Sequence, residues 1–446
     1  IALTAAALAT AATAGVPSYQ TPELKARSNF SGAYNLANSF FFTNRTPSIN
    51  DHGEVAITIG VAASTDTSRL WYSGVNEPMG VYSTPSGGFL SDASLNNSGV
   101  IVDVQSFTIP EGIVEVDVPN MTSGLGVGAG GPFGVIDWST ALINDLGQIG
   151  FRATTGSGTQ AYVSVDTDNT QAKHVEEILG SPYSFLFTPA FNNARQIAGK
   201  ARVGMAGQTG GSQPDEIRIW NSDGSSILIA EDRDSNINSP YTGFDNSVSL
   251  TDNGFVSFTA NLAAGGRGVF LSDGTTTVTI ATEADANVSN IEFFSSSANE
   301  QGLVAFRAFN GAGLRAIFVG DGTTLVEVIT EHDLVPTDLG TARIDQNDSS
   351  PTFGGAPRLN VHGDLAFQCP LTPPDNNQIE WGSGIFVMAA CPPADLNGDC
   401  VVNSADLGVL LGSWGPCPMG GGCPADLDGD GVVGPADLGA LLGSWS

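Results

Sequence analysis

Positive charge is what this chain has least of. Only 16 lysines and arginines stand against 46 aspartates and glutamates in 446 residues, a formal charge of −30 at neutral pH. A nucleic-acid binder gathers cations on one face, and cations so few and so scattered do not supply one. Histidine is rarer still, with four copies. Gly-x-Ser-x-Gly and His-Glu-x-x-His are both missing, which removes the nucleophile elbow and the zinc-peptidase helix. No stretch beyond the N-terminal residues approaches the roughly 18 uninterrupted apolar residues that span a bilayer. Long charged tracts are absent too, and with 41% of residues hydrophobic the chain is not disordered. Glycine is abundant, at 56 copies, alongside many Val, Ile, Thr and Ser. That mixture predicts short strands joined by tight turns in an acidic, all-β protein.

The two ends point to export. Ile1-Ala2-Leu3-Thr4 begins a small, apolar stretch that runs to Ala14, and Ala12-Thr13-Ala14 offers a small-x-small cleavage site. Residues 1–14 therefore read as the last part of a secretory signal whose basic start is missing. Four of the five cysteines (Cys391, Cys400, Cys417, Cys423) crowd the C-terminal stretch, and Cys369 stands alone before it. In an exported chain such clustering predicts disulfides, with three pairings open among the four. With no nearby histidine, a thiolate zinc site is the weaker reading.

Between the ends the chain repeats. Asn-x-x-Gly followed by alternating apolar residues starts at Asn50, Asn96, Asn144, Asn299 and Asn360, and two variants start at Asn192 and Thr251. Two residues past the glycine position the residue is always aliphatic: Val55, Ile101, Ile149, Ile197, Val256, Val304 and Leu365. Two further on, Phe151, Phe258, Phe306 and Phe367 recur, with Ile57, Asp103 and Gly199 as departures. This is a tight turn entering a half-buried strand. A second, aromatic-centred strand ending in Asp-Gly follows in most copies, as in Val269-Phe270-Leu271-Ser272-Asp273-Gly274 and Ile317-Phe318-Val319-Gly320-Asp321-Gly322.

About four short strands per unit of about 48 residues is the size of a propeller blade. Residues 20–390 are accordingly expected to form a seven-bladed β-propeller. Tandem sandwiches would need about twice the period, and β-helix coils are shorter. The seventh copy runs out after Ile385-Phe386-Val387-Met388, so residues from Leu24 to Phe42 are expected to supply the missing strands and close the ring. Gln301-Gly302-Leu303-Val304-Ala305-Phe306 resembles the unit of a family of exported bacterial tandem-repeat proteins that carry varied C-terminal anchors. That resemblance covers roughly residues 40–390 and implies no particular chemistry.

Residues 391–446 carry the strongest chemical signal. Asp395, Asn397, Asp399 and Asp406 fall at positions 1, 3, 5 and 12 of a twelve-residue loop, as do Asp426, Asp428, Asp430 and Asp437 of a second. Val401 and Val432 offer backbone carbonyls at position 7. Hard oxygen ligands at this spacing are those of an EF-hand calcium loop. Cys400 replaces the glycine expected at position 6. Leu407, Leu410, Leu411 and Trp414, and again Leu438, Leu441, Leu442 and Trp445, predict a helix after each loop. Pro392-Pro393 forbids one before the first loop. Loop-then-helix in duplicate, with Asp at position 12, resembles a dockerin, and the Cys-Pro and Gly-Ser-Trp elements are similar to its cysteine-containing variant. The resemblance implies a small α-helical domain with two bound Ca²⁺ ions, one per set of five residues. It also implies a cohesin-like or cell-surface partner, met through positions matching Ser404-Ala405 and Pro435-Ala436.

Catalytic signals are thin. Gly124-Leu125-Gly126-Val127-Gly128-Ala129-Gly130-Gly131 lacks the lysine of a phosphate loop and reads as a flexible connection between blades. His52 and His362 occupy the third turn position of copies one and seven, which a closed ring makes neighbours. With Asp51 they are candidates for a metal or acid–base site, set against the plainer reading of solvated turn residues. Two classes of function follow. One is a non-catalytic, exported propeller that binds a glycan or protein ligand and is tethered through the calcium module. The other is a propeller glycosidase or polysaccharide lyase, which needs two carboxylates facing each other across a funnel.

Overall fold

The computed structural model describes residues 15–28, 40–42, 45–61, 68–74, 78–84, 87–107, 111–128, 137–178, 181–204, 214–346, 352–418 and 423–445. The signal-like residues 1–14 lie outside them. The chain divides into two compact units, Thr21–Met388 and a second that gathers Ala389–Ser446 with the N-terminal residues through Gln20. Within the second unit, Tyr19 bridges Ala390 and the Cys391 amide donates to the Ser18 carbonyl.

Thr21–Met388 is a seven-bladed β-propeller built from seven antiparallel sheets of four to six strands. Blade 5 shows the plan. Tyr241–Phe244 and Ser249–Leu250 share one strand position, both pairing with Val256–Leu262. Arg267–Ser272 and Thr277–Thr282 follow in order. The turn between the first two positions is Thr251-Asp252-Asn253-Gly254, and Gly254 sits at φ +83°, a region open to glycine without penalty. Copy four has Arg195 at that place, at φ +58°. Its side chain donates to Ser164 Oγ, Asp166 Oδ2 and the Thr170 carbonyl of the preceding blade, which offsets the backbone cost.

The two sequence motifs of each unit meet as cross-strand partners. Phe258 lies opposite Phe270, Phe306 opposite Phe318 and Phe367 opposite Phe386. Their rings stack at centroid distances of 5.5, 5.6 and 5.6 Å. Such pairs add to the apolar burial that drives the packing. The core itself lies between blades: Ile217 and Ile219 of blade 4 pack with Val256, Phe258 and Phe270 of blade 5. Ala26, Val55, Ile57, Ala366 and Ile385 do the same across the join of blades 7 and 1.

That join is made as the repeat count required. Glu23–Arg27 pairs antiparallel with Ser383–Met388 and supplies the last strand of blade 7, while Phe40–Phe42 enters blade 1. Arg27 is fully buried and fixes the seam, with Nε 2.6 Å from Asp338 Oδ1 and Nη1 donating to the Trp381 carbonyl.

Two expectations need correction. Gly124–Gly128 belongs to a strand, Thr122–Gly128, which pairs with Gly112–Asp117, because glycine, as at Gly124 opposite Glu115, still completes the backbone ladder; residues 129–131 of that segment lie outside the described residues. The C-terminal helices, α1 (Ser404–Gly412) and α2 (Pro435–Gly443), end before Trp414 and Trp445. Leu410 and Leu441 are fully buried, but Leu411, Leu442 and both tryptophans are about half exposed. The apolar helix face is thus narrower than the spacing implied. Among the described residues no helix is long and apolar enough to cross a membrane.

Candidate metal centre and axial polar ring

The two C-terminal loops fold alike because the same side chains cap the same amides. Asp395 Oδ1 accepts from the Gly398 and Asp399 amides, and Oδ2 from that of Cys400. Asp426 repeats this with Asp430 and Gly431. Asp399 and Asp430 each accept from the amide two residues on, at Val401 and Val432. At position 12, Asp406 accepts from Leu396, Asn397 and Asn403 amides, and Asp437 from Leu427, Asp428 and Gly434. Each of these aspartates thereby ties its loop to the start of its helix. Burial raises the pKa of both carboxyls, but the backbone donors outweigh it and hold them below the ordinary carboxylate value.

Oxygen atoms of Asp395, Asp399 and Asp406 lie within 4.8 Å of one another, as do those of Asp426, Asp428 and Asp437. Asn397 donates to Asp399, the Val401 carbonyl accepts from Asn403 Nδ2, and Asp430 stands outside its loop's converging triad. The Asp430 amide lowers the Asp428 pKa, but burial and the charges of Asp430, Asp437 and Asp426 push it up. Crowding of this kind is what a bound cation relieves, and an all-oxygen donor set suits a hard one. Cys400 takes φ +60° in place of glycine and is joined to Cys391; the second disulfide is Cys417–Cys423. Cys369 is free and fully buried. Between the loops, Ala394, Val402, Leu410, Ala425, Val433 and Leu441 form a small core.

In the propeller, the recurring asparagine proves to be an inter-blade connector. Asn144 Oδ1 accepts from the Leu146 and Gln148 amides and shapes its own turn, while Nδ2 donates to the Asn192 carbonyl of the next blade. The same link joins Asn50 to Asn96, Asn96 to Asn144, Asn192 to Thr251, Asn299 to Asn360 and Asn360 to Asn50. At copy five, Thr251 has no such donor, and Asn253 Nδ2 reaches the Glu300 carbonyl instead.

A second ring lies beside the first. Its members, at the next turn position, are Asp51, Asn97, Asp145, Asn193, Asp252, Glu300 and Val361. The Asn97 amide donates to Asp145, that of Asp145 to Asn193, that of Asn193 to Asp252 and that of Asp252 to Glu300. The Val361 amide donates to Asp51 and the Asp51 amide to Asn97, which carries the run across the join of copies seven and one; it stops at Glu300, because the valine side chain at 361 offers no acceptor. Together the two rings line a cavity of about 240 Å³. Burial raises the Glu300 pKa, and the nearby Asp252 and Asp51 add to that rise. Closure does bring copies one and seven together, as expected, but His52 and His362 stay exposed on their turns. Among the described residues neither joins a group of three metal-ligating side chains. Sequence reasoning missed this ring, although its signal was present: the second turn position is polar in six copies of seven.

A separate cleft of about 290 Å³ opens between blades 5 and 6, lined by Phe244, Asp245, Asn261, Phe293 and Phe294 among others. Arg267 anchors it, with Nη2 2.6 Å from Asp245 Oδ2 and the guanidinium 3.9 Å from the centre of the exposed Phe293 ring.

No family model matches this sequence, and no curated protein does either. Solved structures with a similar fold include TolB from Acinetobacter baumannii, at 14% identity and a TM-score of 0.41, covering 61% of this chain and 62% of that one. A puromycin-hydrolyzing peptidase of Mycobacterium tuberculosis shares 10% identity at a TM-score of 0.46, covering 81% of this chain and 55% of that one. A prolyl endopeptidase shares 12% at 0.45, covering 78% and 50%. The chain thus spans about half to three-fifths of the length of each, and the likeness is one of fold alone.

Proposed function

We propose that this protein is an exported, non-catalytic binding propeller, held at a cell surface or in an extracellular assembly by a dockerin-type module that carries two Ca²⁺ ions. The observation that carries this reading is the pair of in-frame loops, each turning three carboxylates to within 4.8 Å of one another. Asp395, Asn397, Asp399, Asp406 and the Val401 carbonyl would hold one ion; Asp426, Asp428, Asp430, Asp437 and the Val432 carbonyl would hold the other. Bound there, calcium supplies the positive charge that lets the loop carboxylates stay ionised side by side. Ser404, Ala405, Pro435 and Ala436 are exposed at the helix starts, where a partner would meet the module. The propeller contributes the ligand surface, of which the cleft between blades 5 and 6 and the axial ring are recessed parts.

Calorimetric titration of the chelator-treated full chain with calcium tests the metal half. Two ions per chain are expected, falling to one in Asp399→Ala and one in Asp428→Ala, both changes at exposed positions. A chain that takes up no calcium, or variants that keep both ions, would refute it. Release from intact cells into the medium on adding chelator tests the tether.

A further inference from the structure

We propose that the junction between blades 6 and 7 is a binding site for a divalent transition-metal ion, with His332, Asp345 and Glu331 as its protein ligands. The site is independent of the calcium loops. Thr330–Asp333 links the last strand of blade 6, Leu325–Thr330, to the first of blade 7, Leu334–Thr337. The His332 amide donates to the Ile344 carbonyl and the Ile344 amide to the Asp333 carbonyl, which locks the turn beside Asp345. His332 is held at φ +81°, a left-handed conformation that few residues other than glycine adopt.

Three ligand atoms, one from each side chain, lie within 4.8 Å of one another. Glu331 is oriented by two donors, Thr352 Oγ1 and the Arg315 amide. Asp345 is 4% exposed, and its Oδ1 accepts from the Gln346 amide. Its Oδ2 is wholly enclosed yet accepts no hydrogen bond among the described residues. His332 Nε2 stands 3.7 Å from that oxygen. This is too long for a hydrogen bond, and close to the roughly 3.4 Å between two ligands that each lie about 2.1 Å from a tetrahedral ion. Arg343 Nη2, 3.2 Å from the same oxygen, competes with a metal for it. One imidazole nitrogen with two carboxylate oxygens suits zinc, cobalt or manganese, whereas calcium takes six to eight oxygens. The imidazole is about 40% exposed, so water has access to the remaining coordination position.

The test uses the full chain with its calcium loops saturated, titrated with zinc in competition with a chromophoric chelator and then with cobalt by visible absorption. One zinc per chain is expected, with a cobalt band that reports nitrogen and oxygen ligation. His332→Gly, which suits the positive φ, and Asp345→Asn should each weaken zinc at least about tenfold. Arg343→Gln should tighten it, because it removes the competing cation. Melting curves identify a variant that has lost its fold, and His332→Gly and Arg343→Gln then decide between a metal site and a plain ion pair. No zinc uptake by the parent, or unchanged affinity in folded His332→Gly, would overturn the proposal.

Discussion

Asparagine, at the head of six of the seven repeats, performs two tasks that no other residue type combines at this size. It accepts two amides to shape its turn and donates to the neighbouring blade's carbonyl, as Asn144 does. Aspartate keeps the acceptors and loses the donor. Asn144→Asp should therefore destabilise the propeller by about 2 kcal/mol, since it sets a charge against a buried carbonyl; denaturant melts measure this, and no loss would refute the connector role. Asp103 is another residue-scale case, a buried carboxyl where four of the seven copies carry phenylalanine. It accepts from Thr58 Oγ1 and Ser91 Oγ. Burial pushes its pKa from 3.8 up to about 7, against the pull of those two hydroxyls. A folded pKa above the unfolded one means the native state holds its proton longer. Stability thus falls as pH rises from about 4 to about 7 and stays reduced above, by about 4 kcal/mol at most. Asp103→Asn should remove that slope, so its melting advantage over the parent grows between pH 4.5 and 8. Parallel curves for the two proteins would count against it.

At the scale of elements, the strand Glu23–Arg27 is held by more than its backbone ladder, since its Arg27 is buried against Asp338 from a distant hairpin. Removing one partner strands the other charge in the core, at a cost of about 3–5 kcal/mol. Arg27→Ala should lower the melting of the whole propeller, and deletion of residues 21–28 should unfold all seven blades together; a truncated chain that melts unchanged would disprove the seam. Much of this architecture was legible beforehand. Alternation after each Asn-x-x-Gly turn gave the strands, the spacing gave seven units, and the shortfall after Met388 gave the closing strand. What stayed hidden depends on neighbours in space. Phe258 and Phe270 read as two motifs because their pairing follows from register. The acidic ring was hidden because Asp51 and Val361, 310 residues apart, meet only after closure. In the C-terminal module the loop positions were plain from spacing, but α1 and α2 stop short of their tryptophans because Ser413 and Ser444 cap them first.

For the molecule as a whole, cohesion resides in the interfaces between blades, and each interface repeats the same recipe of a connector at one turn and apolar residues between sheets. The excess of 30 negative charges raises self-repulsion as salt falls, and it disfavours anionic ligands at either recessed surface. Because the first strand of the propeller lies antiparallel to its last, with Glu23 directly opposite Val387, the ends of this unit are neighbours. The order in which the blades are encoded is therefore free to rotate. A circular permutant that joins the old ends through a short linker and opens the exposed turn between Ala264 and Gly265 would move the seam into blade 5. It should fold to the same ring and melt within a few degrees of the parent propeller, and failure to fold would show that the native seam is a requirement of assembly.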